Sequence, residues 1–512
     1  MNGRVPIRAL PSGVPGLDDV LGGGIPEFSL TLIVGGPGCG KTTLGHQIMF
    51  ANADSQRKAL FFSIIGEPPI KVLRYQQQFS FFDAAKVEES IRFIHLGHEA
   101  QTGGLAKVLE RIIQEVDRSN PAIVVVDSFR SMMRRTLQAP DGEMELQDFM
   151  QRLAIHLTSC QATSFLLGEY SDDEYDSSVF TVADGVVWLY QAIDRNSMVR
   201  KVRVQKMRGQ AQLPGLHTTR ITDDGLRIFP RIPNPQPNRS THRPLEERVS
   251  SGIDALDEML GGGVPRGYAV LVAGPSGSGK TLLSNQFIAE GAAKGEPGII
   301  AVFEKRPNEY LATTAPGSEL DELLTEKKVE ILYIRPLDLS IDETLGALRD
   351  AVLRTGAKRA VIDSLSGLEL ALAPTFREDF KESLYRMVGA LTEMGVTVMS
   401  TVEMPDRYGS LEFSPHGVAF LNDAIIVQRY IELDGALARA ISVVKVRGSD
   451  HSKALREYQI GPNGRIIIGR ALTGYHGLLT GAPSIVEHRD AGGRPDPGHP
   501  EPAPRKPAPR TT

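Results

Sequence analysis

The sequence predicts an α/β chain made of two copies of one domain, each a mostly parallel sheet with helices on both faces. Two observations carry this reading. The chain repeats itself over a long interval, and each copy alternates short apolar runs with segments of helical period.

The repeat is plain in the letters. GVPGLDDVLGGGIPEFSLTLIVGGPGCGKTTL near the start is answered by GIDALDEMLGGGVPRGYAVLVAGPSGSGKTLL. Lys41 and Lys280 lie 239 positions apart, Asp127 and Asp363 lie 236 apart, and Arg208 and Arg447 return to 239. Three landmarks at nearly one offset mark a duplicated domain and not scattered short matches. Within the first copy, LTLIV, ALFFSII, AIVVVD, TSFLL and DGVVWLY are continuous apolar runs, as expected of strands covered on both faces. The single tryptophan, Trp188, falls in the last of these and reads as core. Leu146, Phe149, Met150, Leu153 and Leu157 mark one helix face before a strand. Phe380, Leu384, Met387, Val388 and Leu391 do the same in the second copy.

The repeat divides the chain into residues 1–230 and 245–485. Residues 231–244 (RIPNPQPNRSTHRP) have no apolar period and read as a linker. Residues 486–512, rich in Pro, Gly and charge, cannot bury enough apolar surface to offset ordering entropy, and disorder is expected there.

Composition sets the class. Of 512 residues, 41% are apolar and 23% charged, an ordinary globular balance. No apolar run is long enough to span a bilayer, and MNGRVPIRALPSG is no signal peptide. Only Cys39 and Cys160 occur, so no disulfide framework is implied, and a reducing, cytoplasmic setting is expected. A net charge of −5 argues against a dedicated nucleic-acid binder, although a ring could line its channel with a few basic residues and stay acidic overall.

Gly35-Gly36-Pro37-Gly38-Cys39-Gly40-Lys41-Thr42 and Gly274-Pro275-Ser276-Gly277-Ser278-Gly279-Lys280-Thr281 both fit G-x-x-x-x-G-K-[ST]. Each follows an apolar strand and opens a helix, the context a phosphate-binding loop requires. The glycines let successive backbone N–H groups face a phosphate, the lysine neutralises β/γ oxygens, and the threonine joins a magnesium shell. A glycine-rich turn that happens to precede a lysine is the bland alternative; two matched copies argue against it. Cys39 reads as a small residue tolerated in the loop and not as a nucleophile. Asp127 and Asp363 end apolar strands and are candidate magnesium carboxylates, the alternative being a loop start or helix cap.

Hydrolysis needs a group that orients the attacking water. Glu304, in GIIAVFEKRP, stands just past the strand that follows the second phosphate-loop helix. The first copy has ALFFSIIGEPP, with Ile65 and Gly66 where a carboxylate is expected and Glu67 as the first acid. Either a shifted loop brings Glu67 into reach, or that site binds nucleotide and hydrolyses it poorly. Lys206 and Arg208, and Lys445 and Arg447, form K-x-R-G late in each copy. Their plain reading is a solvated strand edge. Repetition at one offset points to a second reading, in which they reach the γ-phosphate of a neighbouring subunit. His46, His416 and His451 stand in no ligand cluster and carry no expected metal role.

The tandem GGG-[IV]-P and phosphate-loop units, the DS-ended strands and the K-x-R-G segments resemble the KaiC family over about Val14 to Gly469. In the second copy ERVSSGIDALDEMLGGG, AVIDSLSGLE and DAIIVQRYIELDGALARAISVVKVRGSDHSKALREYQI carry the likeness. The resemblance implies tandem RecA-like domains that bind ATP with Mg2+ between the subunits of a homohexamer of two stacked rings. It further implies ATP hydrolysis, with Glu304 as catalytic glutamate and Lys445 and Arg447 acting in trans, and protein partners not named by the sequence. Clock-type members also phosphorylate themselves on an adjacent Ser-Thr pair. Here those positions hold Ala419 and Phe420, neither with a hydroxyl, leaving Ser414 or Ser410 as substitutes. The Pro-rich tail departs from the family pattern too. A nucleotide-driven switch on protein partners leads; a serine/threonine autokinase, a RecA- or helicase-like DNA motor, and a scaffold glued by ATP are the alternatives.

Overall fold

Strands that are apolar on both faces persist only under cover, and two nine-stranded sheets provide it. The computed structural model describes residues 7–64, 69–127, 142–170, 179–194, 197–231, 247–312, 319–334, 339–372, 374–377, 380–404, 421–433, 435–473, 475–476 and 484–485. Glu67, Ser410, Ser414, His416, Ala419, Phe420, all but the first residue of the expected linker and the whole Pro-rich tail lie outside them.

Numbering only the large-sheet strands, the first copy supplies β1 (Leu30–Gly35), β2 (Ala59–Ser63), β3 (Ile91–His95), β4 (Ile123–Asp127), β5 (Thr163–Gly168), β6 (Gly185–Asp194), β7 (Ser197–Met207), β8 (His217–Thr222) and β9 (Gly225–Phe229). Their spatial order is β9-β8-β7-β6-β1-β5-β4-β2-β3. Strands β3, β2, β4, β5, β1 and β6 run parallel. Strands β7, β8 and β9 continue the sheet antiparallel. The second copy repeats this with β10 (Ala269–Gly274), β11 (Gly298–Val302), β12 (Val329–Tyr333), β13 (Arg359–Asp363), β14 (Thr397–Glu403), β15 (Ala424–Leu433), β16 (Ala436–Val446), β17 (Arg456–Ile460) and β18 (Ile466–Ala471), in the order β12-β11-β13-β14-β10-β15-β16-β17-β18. The mostly parallel α/β sheet expected from the sequence is present twice. Its antiparallel extension was not visible in the strand–helix alternation.

Every residue of β1 and of β10 is buried. Each of these strands delivers the chain into a helix, α1 (Lys41–Asn52) after β1. Longer helices α2 (Gly97–Ser119) and α3 (Gly142–Ser159) follow β3 and precede β5. In the second copy α4 (Lys280–Ala293) follows β10. Both anticipated helix faces are buried: Leu146, Phe149, Met150, Leu153 and Leu157 on α3, and Phe380, Leu384, Met387, Val388 and Leu391 on the helix Phe380–Glu393. Trp188 lies in the core against Phe180, ring centroids 5.7 Å apart. By packing, the chain divides into two units, the first mainly of residues before 235 and the second mainly of later ones.

Two glycines at the strand–helix junction are required by shape. A Cβ on Gly35 would sit 2.0 Å from the Leu189 carbonyl oxygen of β6, so only glycine lets β1 leave the sheet there. Gly40 caps α1 at φ 102°, a left-handed conformation that other residues adopt at a cost. Behind the loop, His46 is fully buried on α1, stacked on Phe61 at 4.4 Å. Its Nδ1–H donates to the Thr42 carbonyl at 2.8 Å, while Nε2 has no partner. Burial pushes the imidazole down to about 4, only partly opposed by that hydrogen bond.

The unfolded chain therefore takes up a proton near pH 6.5 that the folded one refuses until about pH 4. His46 contributes no penalty above pH 6.5, and stability falls by on the order of 1.4 kcal/mol per unit as the pH drops through the window. Thermal melting of wild type and His46→Leu from pH 6.5 to 4 checks this. The variant should lose less stability on acidification; parallel curves would contradict the assignment.

Candidate nucleotide sites

The second copy gathers the larger set of groups. At the carboxyl end of β10 the loop turns into α4, and Lys280 Nζ donates to the carbonyls of Gly274 at 2.9 Å and Pro275 at 2.7 Å. The ammonium is thereby held inside the loop, where phosphate oxygens would compete for the same protons. The Thr281 hydroxyl donates to Asp363 Oδ2 at 2.8 Å, and the Thr401 hydroxyl to the other carboxylate oxygen. Asp363 is thus fixed at both oxygens at the end of β13.

Glu304 follows β11 and accepts a hydrogen bond from the Ser364 hydroxyl at 3.1 Å. It lines a cleft together with Lys280, Thr281, Tyr310, Asp363 and Glu403. Burial lowers the Lys280 pKa, and the charges of Glu403, Asp363 and Glu304 oppose that shift in that order. An ammonium, a threonine hydroxyl and several carboxylates at the carboxyl ends of neighbouring strands form a hard-oxygen set suited to magnesium beside a phosphate chain. The residue types fit Mg-ATP; Thr281 and Asp363 are the candidate metal-shell groups, in the second copy, and Thr42 and Asp127 in the first.

In the first copy Lys41 Nζ donates to the Gly36 carbonyl at 2.7 Å and lies 3.8 Å from Cys39 Sγ. Thr42 Oγ1 donates to Asp127 Oδ2 at 2.7 Å, the same pairing as in the second copy. Burial raises the Asp127 pKa; the Thr42 hydrogen bond and Lys41 oppose it, and the charge of Glu169 adds to it. Burial likewise raises the Cys39 thiol, as befits a packed small side chain. Glu67, the acid expected here, lies outside the described residues.

Several groups in these clefts were not anticipated from the sequence. Glu169 and Glu403 occupy equivalent places at the carboxyl end of β5 and β14. Their trace in the sequence is an apolar run ended by an acid, LLGE and STVE, the same form that drew attention to Asp127. Tyr310 donates to Asn285 Oδ1 at 2.7 Å, and burial, then the charge of Asp363, lifts its phenol well above the ordinary range. Gly367 makes room for the glutamate, since a Cβ there would lie 2.5 Å from Glu304 Oε1.

The K-x-R-G residues sit at the other end of the sheet. Met207, just ahead of Arg208, pairs with Gly185, which is level with Thr31 near the start of β1. Arg208 donates to Asp184 Oδ1 at 2.9 Å, and Asp184 Oδ2 accepts from the Leu30 amide at 3.0 Å. Arg447 donates to Asp423 Oδ1 at 3.1 Å, whose Oδ2 accepts from the Ala269 amide at 3.1 Å. Lys206 Nζ reaches the Phe180 carbonyl at 3.2 Å, and Lys445 Nζ the Asn422 carbonyl at 2.7 Å. Both lysines titrate lower than usual, from burial and then the neighbouring arginine. A β-bulge precedes each segment, skipping Gln205 in one copy and Val444 in the other, and turns the strand end. Five residues of β1 separate this end from the phosphate loop, about 16 Å at ~3.3 Å per residue. The four basic residues are thus remote from the phosphate loop of their own copy.

Among the described residues, no helix is long and apolar enough to cross a membrane. Compared with known proteins, the chain matches the sequence model of the family described as ATPase: KaiC twice, over residues 10–232 and 249–472. It is similar to the circadian clock oscillator protein KaiC of Picosynechococcus sp., 26% identical over 486 residues that cover 93% of each chain. The KaiC of Synechococcus elongatus is 27% identical over 491 residues, 93% of this chain and 92% of that one. That of Parathermosynechococcus lividus is 27% identical over 494 residues, 93% and 89%. Two matched copies of the domain and two phosphate loops held in the same way lead to one conclusion: the chain belongs to the KaiC ATPase family.

Proposed function

We propose that this protein hydrolyses ATP and acts as a nucleotide-driven switch on protein partners, as a homohexamer with Mg-ATP bound between subunits. The observation that carries the reading is the convergence of Lys280, Thr281, Asp363 and Glu304 on one cleft. In this account Lys280 and the loop amides hold the β- and γ-phosphates, and Thr281 and Asp363 would hold magnesium, whose charge would be available to neutralise phosphate oxygens. Glu304 orients the attacking water and takes its proton as the new P–O bond forms and the bond to the β-phosphate oxygen breaks. Ser364 positions the carboxylate from one side, and the bare face of Gly367 admits it from the other.

Lys445 and Arg447 complete a neighbouring subunit's site in this reading, and Lys206 and Arg208 do so for the first copy. Their remoteness from their own loops and the matched aspartate anchors support that role. The first copy has the loop and the Thr42–Asp127 pair, with Glu67 as its candidate acid. It is assigned mainly to ATP-dependent ring assembly, because ligand bound between subunits favours the assembled state by mass action. The self-phosphorylation of clock-type members is not carried over, since Ala419 and Phe420 lack hydroxyls. A DNA motor is set aside on the net charge of −5.

Glu304→Gln should lower steady-state ATP hydrolysis by about 100-fold or more, in the range expected for loss of a general base. The oligomer, followed by light scattering, should persist with ATP present. If Glu67→Gln is the damaging change instead, the assignment of the two copies is reversed. Gly367→Ala pushes a methyl group onto Glu304 and should cut kcat about tenfold, as expected when a catalytic group is misplaced by a fraction of an ångström. Nucleotide affinity should stay within about twofold. Unchanged turnover in that variant would argue that the Glu304 position seen here is not the working one.

A further inference from the structure

A cluster of ligand-type side chains lies on the first copy, away from that copy's own phosphate loop. Asp117 is near the carboxyl end of α2, and His156 and Cys160 are at the carboxyl end of α3. The Cys160 amide donates to the His156 carbonyl at 3.0 Å, so the helical path continues and sets both side chains one turn apart on one face. His156 Nε2 lies 2.9 Å from Asp117 Oδ1. Cys160 Sγ lies 3.8 Å from His156 Nε2 and 4.0 Å from Asp117 Oδ1. We infer that Asp117, His156 and Cys160 form a binding site for one zinc-class divalent cation, which ties α2 to α3.

The geometry is the first support. A tetrahedral zinc ion with bonds of about 2.3 Å to sulfur and about 2.0 Å to nitrogen and oxygen spaces those ligand atoms about 3.3–3.6 Å apart. The three observed separations bracket that range, so rotamer adjustments of a few tenths of an ångström close the shell. One soft thiolate, one imidazole and one carboxylate form a mixed set that favours zinc over magnesium or calcium. Asp117 is more than half exposed, which leaves the fourth position to water.

The duplication supplies an internal control. Counterparts of the α2 core positions Leu105, Val108, Leu109, Ile112 and Val116 are Ile341, Thr344, Leu345, Leu348 and Val352, all buried. On the same offset Asp117 corresponds to Leu353. On the offset that aligns Leu153 with Met387 and Leu157 with Leu391, His156 and Cys160 correspond to Ala390 and Met394. The second copy keeps the buried positions of both helices without any of the three polar groups. Helix packing therefore does not require them, and a simple Asp–His ion pair would leave the thiol unexplained. The nucleotide chemistry does not use them either, because the carboxyl ends of α2 and α3 lead into the starts of β4 and β5, opposite the phosphate loop.

Titration of the reduced full-length protein with Co2+, without nucleotide, tests the site, since a thiolate ligand to cobalt gives a charge-transfer absorption. The expected result is a thiolate band that saturates at one equivalent per chain and is displaced by Zn2+. Cys160→Ser should abolish the band, and Cys39→Ser should leave it intact. His156→Ala and Asp117→Asn should each weaken binding at least about tenfold, since even indirect partners of a metal are worth that much. No thiolate band in wild type, a band that survives Cys160→Ser, or equal affinity in His156→Ala would overturn the inference.

Discussion

In each copy one buried strand holds the phosphate loop and the K-x-R-G segment apart. β1 and β10 are apolar along their length and flanked on both sides by parallel neighbours, so neither can bend or shorten. The phosphate loop leaves one end. At the other, Asp184 or Asp423 accepts from the first strand amide and from the arginine of K-x-R-G. The separation of about 16 Å is therefore a property of the sheet and not of side-chain rotamers. Chemistry that needs both ends cannot draw them from one copy alone, and the proposed completion of each site by a neighbouring subunit is built on that constraint.

The two copies share the frame and differ in what fills it. Lys–loop and Thr–Asp contacts recur with nearly the same distances, 2.7 and 2.8 Å for the threonine pair. The residues just behind and beside the loop are among those that differ. Cys39 corresponds to Ser278, and His46 to Asn285, whose amide oxygen receives the Tyr310 hydroxyl. Glu304 lies in the second cleft, while the corresponding run of the first copy reads Ile65 and Gly66 before Glu67. A scaffold that tolerates such exchange without loss of its sheet order can specialise one copy for turnover and the other for assembly, the division proposed for this chain.

Much of the fold and of the nucleotide sites was legible in the sequence because the physics there is local. A strand covered on both faces must be continuously apolar, as in LTLIV, and a phosphate loop needs glycines at fixed spacing. Helix faces such as Leu146 to Leu157 repeat with the helical period. The antiparallel extension was harder to read because its strands alternate, as in RKVRVQKM, and mix charge into every turn of the pattern. Glu169 and Glu403 were missed because an acid after an apolar run is common, and only the sheet order places these two level with the phosphate loops. Gly367 and Tyr310 depend on a tertiary approach that leaves no periodic mark. Asp117, His156 and Cys160 meet only because two helices pack, with a gap of dozens of residues between the first and the others.

The most direct test of the account is complementation between subunits. Glu304→Gln protein keeps Lys445 and Arg447 but lacks the acid proposed to orient water, and Arg447→Ala protein keeps the acid but lacks the arginine. Each alone should turn over ATP slowly. If sites are completed across subunits, exchanging the two variants into mixed oligomers should restore a measurable fraction of wild-type hydrolysis, rising to a maximum near equal proportions. Turnover that stays at the weighted mean of the two variants at every ratio would contradict the account and place the whole site within one chain.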